Sequence, residues 1–77
     1  MKTYESQVIV EQDEDGLYVA ECPALKGCYA QGRTFEEALE HVKDVIGMCI
    51  EELREEGQKV DLRYPEVIGF KRVEVCV

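Results

Sequence analysis

The chain has 77 residues, 45% of them hydrophobic, and 9 Lys and Arg against 17 Asp and Glu give it a net charge of −8. A chain of this length holds one core, so we expect a single domain over residues 1–77. The negative charge repels phosphate backbones and anionic membranes, which argues against direct nucleic-acid binding by this chain alone. Two interpretations of the negative charge remain: it attracts basic proteins, or it serves only to keep the protein soluble.

No stretch approaches the ~20 apolar residues of a membrane span, and the first residues lack the apolar core of a signal peptide. We therefore expect a cytoplasmic protein. The cysteines Cys22, Cys28, Cys49 and Cys76 contain no C-x-x-C pair, and His41 is the single histidine. This pattern predicts no metal and no cofactor, with thiols that are buried as small hydrophobes.

Three short strands are predicted before any helix. A partly alternating, β-branched segment is followed by Asp15-Gly16, which favours a hairpin turn. Pro23 ends the next strand because it has no N–H to donate, and Leu25 in the following connector is expected to plug the core. The predicted strands cover residues 3–12, 17–22 and 28–31.

One helix is the clearest predicted element. Thr34 and Glu37 have the spacing of a capping box, in which Thr34 accepts from the Glu37 amide and Glu37 reaches back to the Thr34 amide. Gly57 is the expected stop. The apolar positions follow at steps of three and four and make one buried face: Phe35, Ala38, Leu39, Val42, Val45, Ile46, Cys49, Ile50 and Leu53.

A polar connector over residues 58–66 leads to a last predicted strand over residues 68–77. The order β-β-β-α-β predicts an α+β fold with a four-stranded mixed sheet and one helix packed on one face. The last strand would return parallel to the first and beside it. The uncovered sheet face would then carry Ile9, Tyr18 or Tyr29, depending on register, and would suit a second subunit or a partner.

The chemistry of the sequence points to binding and not to catalysis. There is no phosphate-binding loop, and no acid, base and nucleophile stand in an evident arrangement, so we predict no catalytic residue and no enzyme. The acidic run at residues 13–15 suits a solvated hairpin turn better than a divalent ion. A residual nuclease would need Glu11 and Glu21 to converge with Glu37 or Glu40.

Three acidic residues of the predicted helix, Glu36, Glu40 and Asp44, follow one another at i, i+4 spacing. We call them the acidic stripe. They are either an ordinary solvated helix face or a docking surface for Lys and Arg of a partner. With Tyr18 and Tyr29 they are the candidate partner-binding residues.

Residues 15–39 resemble the HicB antitoxin family. The resemblance consists of a glycine turn, an aromatic-apolar strand, P-x-L-x-G-C, a short strand, G-x-T, and E-E-A-L at the start of the helix. The matching residues, which are architectural and set turns or cap the helix, are Pro23, Leu25, Gly27, Cys28, Gly32, Thr34, Glu37, Ala38 and Leu39.

The resemblance implies a truncated RNase H-like fold without nuclease carboxylates. It implies an antitoxin that binds HicA, a small basic mRNA-cleaving toxin, and covers its active site. It also implies a homodimer or tetramer. Many members carry a second, DNA-binding domain; this sequence stops at Val77, so we do not expect autorepression by this chain alone. The alternative function is a stand-alone oligomeric domain with a structural or regulatory role and no toxin partner.

Overall fold

The structure is a computed structural model that describes residues 2–77. It is an α+β fold in which three antiparallel strands, side by side in chain order, are covered on one face by a helix. The α+β class predicted from the sequence is confirmed. The elements are β1 (Ile9–Gln12), β2 (Tyr18–Glu21), β3 (Tyr29–Gly32) and α1 (Phe35–Glu55).

The first two strands form the predicted hairpin. The Asp13 N–H donates to the Leu17 carbonyl at 2.9 Å, and the Asp13 carboxylate accepts from the N–H groups of Asp15 and Leu17 at 2.9 and 3.0 Å. Side chains of this type commonly replace missing main-chain partners in turns. One carboxylate of the acidic run is therefore occupied by the turn itself.

The register of the hydrogen bonds defines the two edges of the sheet. The Cys22 N–H donates to the Cys28 carbonyl, and Ala20 pairs with Ala30. Main-chain polar groups of successive residues in an antiparallel strand point to opposite sides. Cys28 and Ala30 point towards β2, so the N–H and carbonyl of Gln31 point away from it. The Asp13 bond to Leu17 likewise turns the main chain of Val10 outward from β1.

The helix begins as predicted, with one difference. The Glu37 N–H donates to Thr34 Oγ1 at 3.0 Å, which confirms the cap. The Glu37 carboxylate accepts from the Arg33 N–H at 3.2 Å and not from the Thr34 amide, so that half of the prediction was wrong by one residue. Thr34 enters the helix in an extended conformation, which brings the preceding amide within reach. Gly57 follows the last turn, as expected.

The core lies between the sheet and the helix in two adjoining clusters. Leu25 is buried, as predicted, in the cluster that also contains Cys22, Cys28 and Ile50. The first cluster is Ala20, Ala38 and Val42, with Val8, Val10, Tyr18, Ala30 and Ile46 packed against it. The second is Cys22, Leu25, Cys28 and Ile50.

The predicted fourth strand does not form, so the expected four-stranded mixed sheet was wrong for the single chain. Ile68 is 92% exposed and Phe70 is 90% exposed. Within residues 2–77, no hydrogen bond joins residues 68–77 to the rest of the chain. The alternation of this segment suits a strand, but a strand also needs a partner edge, and this segment leaves its own sheet. The RNase H-like relationship stays a prediction.

Candidate protein-interaction surfaces

The acidic stripe lies along the exposed side of α1. Glu36, Glu40 and Asp44 are all exposed, and in the part of the chain that the structure describes none of them forms an ion pair. Unpaired carboxylates on a fixed helix surface present a row of acceptors to a basic partner at low cost in desolvation. The structure brings these three predicted residues together.

His41, which the sequence offered only as a lone histidine, lies at the outer edge of β3. Its Nδ1 is 2.6 Å from the Gln31 carbonyl oxygen. Because a carbonyl oxygen can only accept, Nδ1 carries the proton and donates it. The helix therefore covers part of this sheet edge with a side chain. No sequence pattern signals the contact, since it depends on how the helix lies over the sheet.

The two candidate tyrosines lie on opposite faces of the sheet. Tyr18 packs on the helix side, against the cluster of Ala20, Ala38 and Val42. Tyr29 is 59% exposed and shares the uncovered face with Ile9 and Glu21, which stand in the same row across the strands. Only Tyr29 is thus displayed on the uncovered face.

The carboxylates nominated for a residual nuclease are separated by the sheet. Glu11 and Glu21 belong to the uncovered face by register, whereas Glu37 and Glu40 stand on the helix that covers the other face. Glu37 is already engaged with the Arg33 amide. Among residues 2–77, no group of three His, Cys, Asp or Glu side chains is placed to hold a metal ion. No helix of that part is long and apolar enough to cross a membrane.

Three of the four thiols meet in the core. Cys22 and Cys28 are buried and Cys49 is half-buried, which agrees with the prediction, whereas Cys76 is exposed. Burial, together with the neighbouring thiols Cys49 and Cys22, raises the pKa of the Cys28 thiol to about 12, and burial is the largest cause. The thiols here pack as neutral apolar groups, and Ser6 Oγ lies 2.9 Å from Cys22 Sγ.

A second exposed surface is formed by residues 67–77, which we call the apolar segment. It is anchored at its start by Gln7, whose Oε1 accepts from the Val67 N–H at 2.7 Å and whose Nε2 donates to the Pro65 carbonyl at 3.4 Å. Beyond Val67 the large side chains are exposed: Ile68, Phe70, Val73, Val75 and Val77. The sequence predicted the strand pattern but not that it would be displayed.

A family model, described as a HicB-like antitoxin of bacterial toxin-antitoxin systems, matches residues 6–70. The chain belongs to this family. The match confirms the resemblance read from residues 15–39 and extends it through the hairpin, the whole helix and the connector. An antitoxin role, regulatory and not catalytic, is what membership of the HicB-like family indicates.

Several relatives of this HicB-like chain carry the name UPF0150 protein. One from Synechocystis sp. is 40% identical over 75 residues, covering 97% of this chain and 100% of the relative. One from Thermoplasma acidophilum is 47% identical over 53 residues, covering 69% and 77%. One from Archaeoglobus fulgidus is 37% identical over 68 residues, covering 88% and 90%. No solved structure is significantly similar to the chain.

The HicB-like signature residues join the sheet to the helix. A Cβ at Gly32 would collide with the Ala38 amide nitrogen and lie 2.8 Å from the Glu37 carbonyl carbon, so only glycine lets the helix start so close to β3. Gly27 has a φ of 75°, which a residue with a side chain rarely adopts. The signature therefore specifies the scaffold that carries the acidic stripe, and Glu40 and Asp44 of the stripe lie outside the motif.

Proposed function

We propose that this chain acts as one antitoxin domain that neutralises a small, basic, HicA-type mRNA-cleaving toxin by covering its active site. The family match over residues 6–70 carries the proposal, because it assigns an antitoxin scaffold to nearly the whole chain. The net charge of −8 supports it, since an acidic protein associates rapidly with a basic one.

The acidic stripe is the contact surface that we propose for the toxin. Glu36, Glu40 and Asp44 are held on a rigid helix whose start is fixed by the Thr34 cap, so their spacing is preserved on binding. Lys and Arg side chains are the groups that such a row attracts. Tyr29, on the uncovered face, is the aromatic contact that we propose beside Ile9.

The experiment is co-expression with a small basic HicA-type protein, to be sought in the genes beside this one. If the proposal holds, that protein alone arrests growth and degrades mRNA, and the present chain restores growth and co-purifies with it. Equal toxicity in the presence and absence of this chain, at matched expression levels, would remove the toxin-binding role.

The second candidate is a stand-alone oligomeric domain, which the exposed apolar segment favours. Five large apolar side chains in water are costly, and a second subunit would cover them. We propose self-association for this reason, whether or not a toxin also binds. Light scattering on the purified chain separates a monomer of 8.8 kDa from larger species.

A further inference from the structure

We propose that the apolar segment of one copy pairs as a fourth strand with the outer edge of β1 in a second copy, so that two chains exchange strands. This inference rests on the self-association proposed above and is independent of toxin binding. It assigns a specific strand and a specific edge to the interface.

The apolar segment has the composition of a strand without its partner. Val73, Val75 and Val77 stand at two-residue spacing, and β-branched residues of this kind favour a pleated, half-buried surface. Val73 is 75% exposed and Val75 is 73% exposed. The chain as a whole is extended, with a Cα radius of gyration of 14.6 Å. A compact chain of this length would have about 11.5 Å.

The apolar segment starts beside the residues that lead into β1. Gln7 binds the main chain of Pro65 and Val67 through its side-chain amide, which holds the start of the segment beside the residues that lead into β1. After Val67 the segment makes no hydrogen bond to its own sheet within residues 2–77. A strand that begins beside an edge and does not pair with it is free to pair with the same edge in a neighbouring copy.

The two edges of the sheet are not equivalent. The outer edge of β3 is partly covered by His41, which donates to the Gln31 carbonyl. The outer edge of β1 presents the main chain of Val10 and Gln12, and in the described part of the chain no other main-chain group bonds to it there. Open edges of this kind template the addition of a strand. The free edge is therefore that of β1.

Charge also favours this pairing. The apolar segment contains Lys71 and Arg72 against Glu74, which is 2 − 1 = +1. Residues 3–13 contain three acids and no Lys or Arg, which is −3. A segment with a slight positive charge thus meets an acidic edge, in a chain whose overall charge would otherwise keep two copies apart.

A second copy satisfies both features with one symmetry operation. Each chain has one unpaired segment and one open β1 edge, so a two-fold arrangement pairs both segments and leaves no open β1 edge. A different protein would have to provide a strand and an edge of its own at matching positions. The products are two four-stranded sheets, each with one strand from the neighbouring copy.

The first test is the mass of the full chain and of two variants by light scattering. The full chain should have twice the monomer mass, 2 × 8.8 = 17.6 kDa. V73E/V75E places charges on the apolar side of the segment and should raise the dimer Kd tenfold or more, roughly, because a buried unpaired charge is costly. The matched control R72Q/E74Q changes the other side of the segment and should leave the dimer intact.

The second test identifies the edge. Gln12→Pro removes an N–H that points outward from β1 and leaves the bonds to β2 in place, so it should block acceptance of a strand while the helix signal in circular dichroism is kept. A copy shortened to end at Glu66 keeps its edge and lacks the segment. Each of these two variants should be a monomer by itself, and mixing them should give a heterodimer.

These results separate the alternatives. A monomer at about 100 μM, far above the Kd of an ordinary specific dimer, would overturn the proposal. A dimer that survives V73E/V75E would also overturn it and would leave self-association through another surface. If the mixed pair does not form and the Gln12→Pro chain still dimerises by itself, the segments pair with each other and not with β1. If the shortened copy fails to fold, the masses of the V73E/V75E and Gln12→Pro chains still show whether the dimer depends on the apolar segment and on the β1 edge.

Discussion

Gly32, the last residue of β3, lies directly against the backbone of Ala38 in the first turns of α1. The neighbouring backbone cannot retreat, because Ala38 is fully buried in the core with Ala20 and Val42. We expect Gly32→Ala to lower the free energy of unfolding by about 3 kcal/mol, since it forces the helix away from the sheet.

Gly47→Ala is the matched control for that change. Gly47 lies within α1, and a Cβ there would meet nothing within 4 Å. Alanine in an exposed helix position should raise the free energy of unfolding by about 0.5–1 kcal/mol. Urea denaturation of the two variants at one protein concentration checks both signs. Equal effects in the two variants would contradict the close packing at Gly32.

The cap at Thr34 provides a second prediction. Its Oγ1 is the acceptor for the Glu37 N–H at the start of the helix. Thr34→Ala should lower the free energy of unfolding by about 1 kcal/mol, because a helix-terminal N–H loses its partner. Thr34→Ser keeps the hydroxyl, so its free energy of unfolding should stay within a few tenths of a kcal/mol, roughly, of the wild-type value. Identical losses for both substitutions would mean that the hydroxyl is not the capping group.

The buried thiol at Cys28 predicts a pH dependence. Its folded-state pKa is about 12, above the ordinary value of 9.0. A raised pKa means that the unfolded chain loses the proton first as the pH increases. Stability from this group is therefore complete below pH 9 and decreases as the pH rises from 9 towards 12.

The measurement is the denaturation midpoint between pH 7 and 11 for the wild type and for Cys28→Ala. We expect a flatter alkaline slope in the variant, even though its midpoint is lower at every pH because of the cavity. Cys76→Ala is the control, since that thiol is exposed and should not change the slope. The same slope in all three proteins would exclude Cys28 as its source.

The acidic stripe predicts the charge dependence of toxin binding. Neutralising it in E36Q/E40Q/D44N should raise the Kd for the toxin by about tenfold, since exposed ion pairs contribute about 0.2–1 kcal/mol each. The control E51Q/E52Q/E55Q removes the same charge from exposed positions farther along α1. Titration calorimetry at two salt concentrations distinguishes them. An equal loss in both variants would show that only net charge matters.

Short-range features were predictable from the sequence. The Thr34 cap, the helix stop at Gly57 and the turn at Asp15-Gly16 all depend on residues within about five positions of one another. The family signature around Pro23 also lies in one continuous stretch. These elements formed where they were expected, except that Glu37 binds the Arg33 amide and that the first strand begins at Ile9 and not at residue 3.

The sequence by itself determined three strands, one capped amphipathic helix, an acidic surface and membership in the HicB-like pattern, because local geometry and periodicity specify these. Only the tertiary structure decided which tyrosine is exposed, where His41 binds, and that residues 67–77 do not pair with their own sheet. A strand pattern predicts that a segment can pair, but the free edge that it meets is set by contacts between residues far apart in sequence.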